Sequence, residues 1–184
     1  MDSATISVRM ATIDDANAIQ AIYAPIVAST AISFETEPPS TEVVRERIAD
    51  KLQSLPWIVA EIDGEVVGYT YAAPHRERGA YRWSVETSVY VAEQARQGGV
   101  GRRLYRSLVD CLQRQGYVNA FAGIALPNPA SVALHEAVGF EPAGTLRAVG
   151  FKLGTWHDVG YWRLQLQVPP ATPMSPTPPH AAWI

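Results

Sequence analysis

The stretch Arg96-Gln97-Gly98-Gly99-Val100-Gly101-Arg102 carries the residue types that hold phosphate oxygens. Glycines let backbone come close to a ligand, and the first N–H groups of a helix have no partner within it. Leu104, Leu108 and Leu112 recur beyond the last glycine at helical spacing, so an apolar helix face begins there. The opening turn of that helix is an anion site, because its free N–H groups and its dipole both favour negative charge. Arg96, Arg102 and Arg103 add guanidinium forks that match phosphate. Ahead of the glycines, Val89 and Val91 alternate around Tyr90 as strand residues do. Strand, glycine turn and helix together predict a site for the pyrophosphate of a cofactor. A P-loop would need Lys-Ser or Lys-Thr after the last glycine, where Arg102-Arg103 stands. A dinucleotide fingerprint would need a further glycine where Leu104 stands.

A second constellation precedes it. Arg76, Arg78 and Arg82 surround a turn, and Glu86 follows on the same strand as Val89. Guanidinium forks match carboxylate or phosphinate oxygens, and a carboxylate matches an ammonium, so the pattern suits an amino acid. Phe34, Tyr81 and Trp83 would form the apolar wall of such a site, with Ser84 and Val85 between the aromatic residues and Glu86. A solvated arginine turn and ordinary core packing of the aromatic residues are the plain alternatives.

Composition sets the outer bounds. The chain has 184 residues, 47% of them hydrophobic and 18% charged, which suits one globular domain. A net charge of −3 argues against nucleic acid as a partner. The single cysteine, Cys111, excludes an internal disulfide and a multi-cysteine metal site. Cys111 sits beside Leu108 and Leu112, so it reads as a buried, inert thiol. His157 and Asp158 lack a third ligand nearby, so no metal is expected. No apolar run is long enough to span a bilayer and no signal pattern opens the chain, which gives a cytoplasmic protein without a membrane partner.

The positioning elements follow in order. Ile6, Val8 and Met10 form a first strand. Thr12 caps a helix that Pro25 should kink or end. Ser40 or Thr41 opens a second helix running to Leu55. Trp57–Ile62 and Val66–Tyr71 flank Asp63-Gly64, a hairpin turn. Tyr81–Val91 is a strand, and the glycine-loop helix runs to about Gln115. Val118–Leu126 is a central strand, and Asn128-Pro129 starts a helix that Gly139 closes. Pro142–Phe151 and Val159–Val168 are the last strands. Six prolines after Val168 predict a tail over 168–184 that is mobile and free of sheet or helix, leaving residues 1–167 as the domain.

Arg-x-x-Gly-x-Gly in this setting resembles the coenzyme A loop of the GNAT acetyltransferases. Asn128-Pro129-Ala130-Ser131-Val132-Ala133-Leu134-His135-Glu136-Ala137-Val138-Gly139-Phe140 resembles the second motif of that superfamily, a helix beside the pantetheine arm. Ser33-Phe34-Glu35-Thr36-Glu37-Pro38, Trp57-Ile58-Val59-Ala60-Glu61, Thr87-Ser88-Val89-Tyr90-Val91 and the run Leu146–Gly160 are similar to the phosphinothricin N-acetyltransferases. The likeness covers nearly all of residues 6–167. Lys152 to Asp158 is its most specific part.

The resemblance implies an α/β GNAT fold, a mixed and mostly antiparallel sheet flanked by helices. It implies acetyl-CoA as cosubstrate, held by Val89, Tyr90, Val91, the glycine loop, Asn128 and Ser131, and a homodimer. The implied reaction acetylates the α-amine of phosphinothricin, methionine sulfoximine or methionine sulfone. His75 and Arg76 depart from the herbicide-selective members, which carry an aromatic residue and a lysine there. Glu86 is the expected base, made basic by burial, or else the counter-charge of the substrate ammonium. His135 takes a place often held by the tyrosine that protonates the leaving thiolate, so it is the expected acid or relay. Backbone N–H groups near Val89–Val91 would polarise the thioester oxygen. A protein N-terminus or a polyamine as acceptor, or a coenzyme A-binding module without catalysis, are the competing readings.

Overall fold

The computed structural model describes residues 5–183. Its elements are β1 (Ser7–Met10), α1 (Ala16–Ser29), α2 (Thr41–Lys51), β2 (Trp57–Ile62), β3 (Glu65–Pro74), β4 (Ser84–Val91), α3 (Val100–Gln115), β5 (Asn119–Leu126), α4 (Pro129–Ala137), β6 (Glu141–Lys152), β7 (Thr155–Gln165) and a one-turn α5 (Pro179–Ala182). The seven strands make one sheet in the order β1-β2-β3-β4-β5-β7-β6. Every neighbouring pair is antiparallel except β4 with β5, so the sheet is mixed and mostly antiparallel, as expected.

Alternation along the strands sends side chains to two cores. On one face Ile58, Ala60, Ala72, Val85 and Ala120 pack under Leu104, Leu108 and Leu112 of α3. On the other, Trp57, Val59 and Tyr69 pack against Ile19, Tyr23 and Val27 of α1 and Val44 and Ile48 of α2. Close packing of α3 has a glycine under it. A Cβ on Gly68 of β3 would lie 3.1 Å from the Val100 side chain and 3.2 Å from that of Leu104.

Local structure departs from the sequence expectations at several places. Pro25 lies inside α1, so of the kink or early end expected there the early end is not found. Pro25 and Ala21, whose carbonyl loses its helical partner, are both exposed, so water can take that carbonyl. Helix α2 stops at Lys51, and Leu55 is buried from the following turn instead. The strand expected from Tyr81 begins at Ser84, after a 3₁₀ turn over Gly79–Tyr81. The last hairpin is longer than its apolar pattern, because Leu153-Gly154 turns it at positive φ and pairs Lys152 with Thr155.

The proline-rich segment, expected to be mobile and without regular structure, lies against α3 and ends in α5. Thr177 N–H donates to Gln115 O at 2.9 Å, and the buried Gln115 Nε2 donates to Thr177 O at 2.6 Å and Ser54 O at 3.0 Å. Trp83 Nε1 donates to Met174 O at 2.7 Å. Composition sees the missing proline N–H groups but not the partners that α3 offers to the residues between them.

The core also holds a polar chain between α3 and α4. His135 lies 2.7 Å from Ser131 O through Nδ1 and 2.6 Å from the Tyr105 hydroxyl through Nε2. A carbonyl only accepts, so Nδ1 carries the hydrogen and Nε2 accepts from Tyr105. Burial lowers the His135 pKa below the ordinary histidine value, the Ser131 bond opposing it. The unfolded chain therefore binds a proton from about pH 6.5 downward that the folded chain refuses until lower pH. Stability should fall as pH drops through that window, by at most about 1.4 kcal/mol per pH unit from this site. Urea unfolding between pH 7 and pH 5 should show a steeper loss for the native chain than for His135→Gln; equal slopes would assign the titration to another group.

Candidate active site

The site begins where two strands part. β4 and β5 pair only through Ser84–Glu86 and Asn119–Phe121. Beyond those residues β4 stays with β3, and β5 stays with β7, so a gap opens between them. At the fork the Thr87 hydroxyl donates to Phe121 O at 3.2 Å. Ala92 N–H points to Val67 O on the β3 side, whereas Val91 O accepts from Arg96 Nε at 3.3 Å on the gap side. Successive residues aim their backbone groups to opposite sides of a strand, so the amides of Val89 and Val91 face the gap.

A groove of about 510 Å³ leads from the gap to the N-terminus of α3. Val89, Tyr90, Val91, Arg96, Gln97, Gly99, Val100, Gly101, Arg102, Asn128 and Ser131 line it. Gly98 is the one expected cofactor residue absent from the lining. Ile26, Ile32, Ala95, Ala130 and Leu134 line it as well; these apolar residues gave no chemical signal in the sequence. The three glycines differ in purpose. Gly99 caps α3 at φ +82°, and a Cβ there would meet nothing within 4 Å, which leaves an open cradle at the helix end. A Cβ on Gly101 would lie 2.9 Å from Leu134 Cδ2, so that glycine admits α4. Gly98 keeps an ordinary φ, and the turn also needs Gln97 at φ +65°. The Asn128 side chain accepts from Ser131 N–H at 3.1 Å and starts α4. An open cradle, unpartnered first-turn N–H groups and flanking arginines fit a diphosphate, and the groove's largely apolar wall fits a pantetheine arm.

His135 and Thr87 line a small cavity at the fork together with Ser88, Val89, Gly123 and Ser131. Both His135 nitrogens are engaged, as described above. Burial pushes the Tyr105 hydroxyl well above the ordinary tyrosine value, so it stays protonated.

On the opposite face of the sheet, Ile32, Ser33, Phe34, Tyr90, Gly123, Ala125, Val149, Val159 and Tyr161 enclose about 290 Å³. Phe34 is the expected substrate residue found there. Alternation puts Glu86, Ser88 and Tyr90 of β4 on this same face. Glu86 is not fully buried: 37% of its side chain is exposed, and its Oε1 accepts from Arg76 Nη1 and lies against His75 Nδ1, each at 3.1 Å. The burial expected of it is therefore only partial. His75 stacks on Phe121 with ring centroids 4.3 Å apart, and Tyr81 meets its edge.

The other expected substrate residues scatter. Val85 is wholly buried under α3 and paired on both sides, which removes it from any ligand surface. Trp83 is tied to Met174, and Arg82 folds over the Trp83 ring at 5.6 Å. Ser84 Oγ accepts from Asn119 Nδ2 at 3.4 Å, and Arg78 is exposed at the start of the 3₁₀ turn. Asp158 Oδ1 accepts from Ala148 N–H, and His157 Nε2 donates to Lys152 O, so both brace the last hairpin. Among the described residues no group of three His, Cys, Asp or Glu could hold a metal ion, and no helix is long and apolar enough to cross a membrane.

Comparison with known proteins agrees with this arrangement. A family model described as an acetyltransferase (GNAT) domain matches residues 8–160. The phosphinothricin N-acetyltransferase of Streptomyces viridochromogenes is 39% identical over 93% of this chain and 94% of its own. The L-methionine sulfoximine/L-methionine sulfone acetyltransferase of Salmonella typhimurium is 34% identical over 88% of this chain and 95% of its own. A crystal structure of a GNAT superfamily phosphinothricin acetyltransferase from Sinorhizobium meliloti, in complex with acetyl-CoA, superposes with a TM-score of 0.87 at 36% identity, covering 94% of each chain. The forked sheet, the glycine-capped groove and these likenesses across nearly the whole chain have one meaning: the protein belongs to the GNAT acetyltransferases and is an N-acetyltransferase.

Proposed function

We propose that this enzyme acetylates the α-amine of phosphinothricin or a related amino-acid analogue, methionine sulfoximine or methionine sulfone, with acetyl-CoA as donor. The observation that carries the reading is the meeting of two spaces across the fork. The diphosphate groove ends at Val89–Val91 on one side, and a pocket of amino-acid size with Tyr90 and Phe34 in its wall opens on the other. The names of the relatives above support the substrate class. A homodimer belongs to the same reading, supported by Leu146, Val149, Phe151, Leu153 and Trp156, which stand exposed along the edge hairpin.

Acetyl-CoA supplies the activated acyl group. The chain's own part is to hold and align it, and alignment accounts for much of the acceleration in such transfers. The N–H groups of Val100, Gly101 and Arg102 with the Arg96 and Arg102 side chains take the diphosphate. Asn128 and Ser131 flank the arm. The Val89 and Val91 amides facing the gap donate to the acyl oxygen, where charge grows during attack. Glu86 attracts the substrate ammonium on the pocket face and takes a proton from it, directly or through water, since an α-ammonium is mostly protonated near neutral pH. Arg76 and His75 hold Glu86 at the rim, and Arg76 and Arg78 offer forks to the acidic end of the substrate. His135 positions rather than donates: its Nδ1 hydrogen goes to Ser131 O and its Nε2 accepts from Tyr105, which fixes the Tyr105 hydroxyl beside Thr87 at the fork, and the departing thiolate takes its proton from solvent.

Incubation of the purified enzyme with acetyl-CoA and each of the three amino-acid analogues, followed by thiol release, should give turnover with at least one of them. Turnover only with peptide N-termini or polyamines would replace the substrate class. Glu86→Gln should lower kcat/KM at least tenfold, about 1.4 kcal/mol of barrier, with acetyl-CoA affinity little changed. Native kinetics in that variant would remove Glu86 from the chemistry. Gly99→Val puts a branched side chain at positive φ into the cradle and should weaken acetyl-CoA binding at least tenfold by titration calorimetry; native affinity would refute the diphosphate assignment.

A further inference from the structure

Lys152 is a buried lysine at the tip of the last hairpin, and both partners of its ammonium lie far from it in sequence. The residue is 7% exposed. Nζ donates to Val27 O at 2.6 Å and to Ser33 O at 2.7 Å. Val27 lies in the last turn of α1, where carbonyls lack helical partners and the dipole favours a cation. Ser33 lies in the segment between α1 and α2, next to Ile32 and Phe34. Ile32 borders the cofactor groove, the fork cavity and the amine pocket alike, and Phe34 walls the amine pocket. Lys152 thus joins a helix end to the segment that faces the reacting groups.

Two further contacts hold the same segment. The Tyr23 hydroxyl lies 2.7 Å from Ser33 Oγ and donates to Glu35 Oε1 at 2.9 Å, while Arg47 takes both oxygens of Glu35. From below, Gly150 leaves room for the Phe34 ring: a Cβ there would lie 2.2 Å from Phe34 Cε2. Burial lowers the Lys152 pKa and the negative Glu35 opposes the shift. A buried cation costs free energy unless its donors are satisfied. Here the cation is spent on two carbonyls that fix one loop.

We propose that Lys152 is a positioning residue for substrate selection, its ammonium latching residues 30–35 so that Phe34 and Ile32 shape the amine pocket. The proposal rests on reading that pocket as the amine site. Losing the latch lets the Phe34 wall move while leaving the glycine cradle and the α3 N-terminus untouched, so the loss falls on amine recognition.

The test compares the native enzyme, Lys152→Met, Phe34→Ala and the double variant in steady-state kinetics with methionine sulfone. Hydrogen exchange of amides 32–35 is followed in parallel. Lys152→Met should raise the amine KM about tenfold, keep the acetyl-CoA KM within about twofold and speed exchange at those amides. In the Phe34→Ala background the same change should add less than about twofold, because both act through one wall. A folded Lys152→Met variant with native amine KM, or an effect that multiplies fully with Phe34→Ala, overturns the proposal. Should Lys152→Met not fold, Lys152→Gln takes its place under the same criteria. If the native enzyme acetylates no amine tested, the reading of the pocket has failed. Exchange then decides the latch by itself: faster exchange confined to 32–35 upholds it, and unchanged exchange overturns it.

Discussion

The parting of β4 from β5 is the constraint on which the site depends. A sheet pairs its backbone groups along every ladder, and unpaired buried groups are costly. Here the ladder stops at Glu86 and Phe121, so the strand residues beyond present amides to a gap instead of to a neighbour. The fork persists because other contacts hold each arm. Val91 and Val89 pack under α3, β5 is paired along its length with β7, and Thr87 bridges the vertex. Helix α4 packs close beside α3, with the Leu134 side chain over Gly101 where a Cβ would lie 2.9 Å from it. The groove is the space these contacts leave open.

The groove and the pocket reach the fork mainly from opposite faces of the sheet. The groove reaches the gap beside α3, where helix N–H groups and arginines gather. The pocket of Phe34, Tyr90 and Tyr161 reaches it from the α1 face, where Glu86 stands. The two spaces adjoin at Tyr90 and Ile32, which line both. Water at the Glu86 rim keeps that carboxylate partly solvated, and its neighbours His75 and Arg76 fix its position.

Polar and charged groups tie the outer segments of the chain to this frame. Arg9 joins Asp15 to Glu61, fixing the start of α1 to the edge of the sheet. Arg47, Glu35 and Lys152 hold the segment after α1. The tail reaches α3 through Gln115 and the turn before β4 through Trp83. These contacts bridge segments distant in sequence, which is what a precise pocket requires.

The sequence by itself determined the strand-glycine-helix unit, the Asp63-Gly64 hairpin, the Asn128 cap and most of the groove lining. Each is written within a few neighbouring residues: glycines where φ is positive, a capping amide, apolar residues at a fixed period. The family was legible for the same reason. Only the tertiary structure decided which face each side chain serves and what it meets there. It moved Val85 into the core, turned Arg82 onto Trp83, left Glu86 half in water and closed both His135 nitrogens. It also brought Ile32, Val149 and Tyr161 into the pocket and Lys152 to the end of α1. Those contacts join residues separated by much of the chain, and they follow from strand order and sheet face, which no local pattern records.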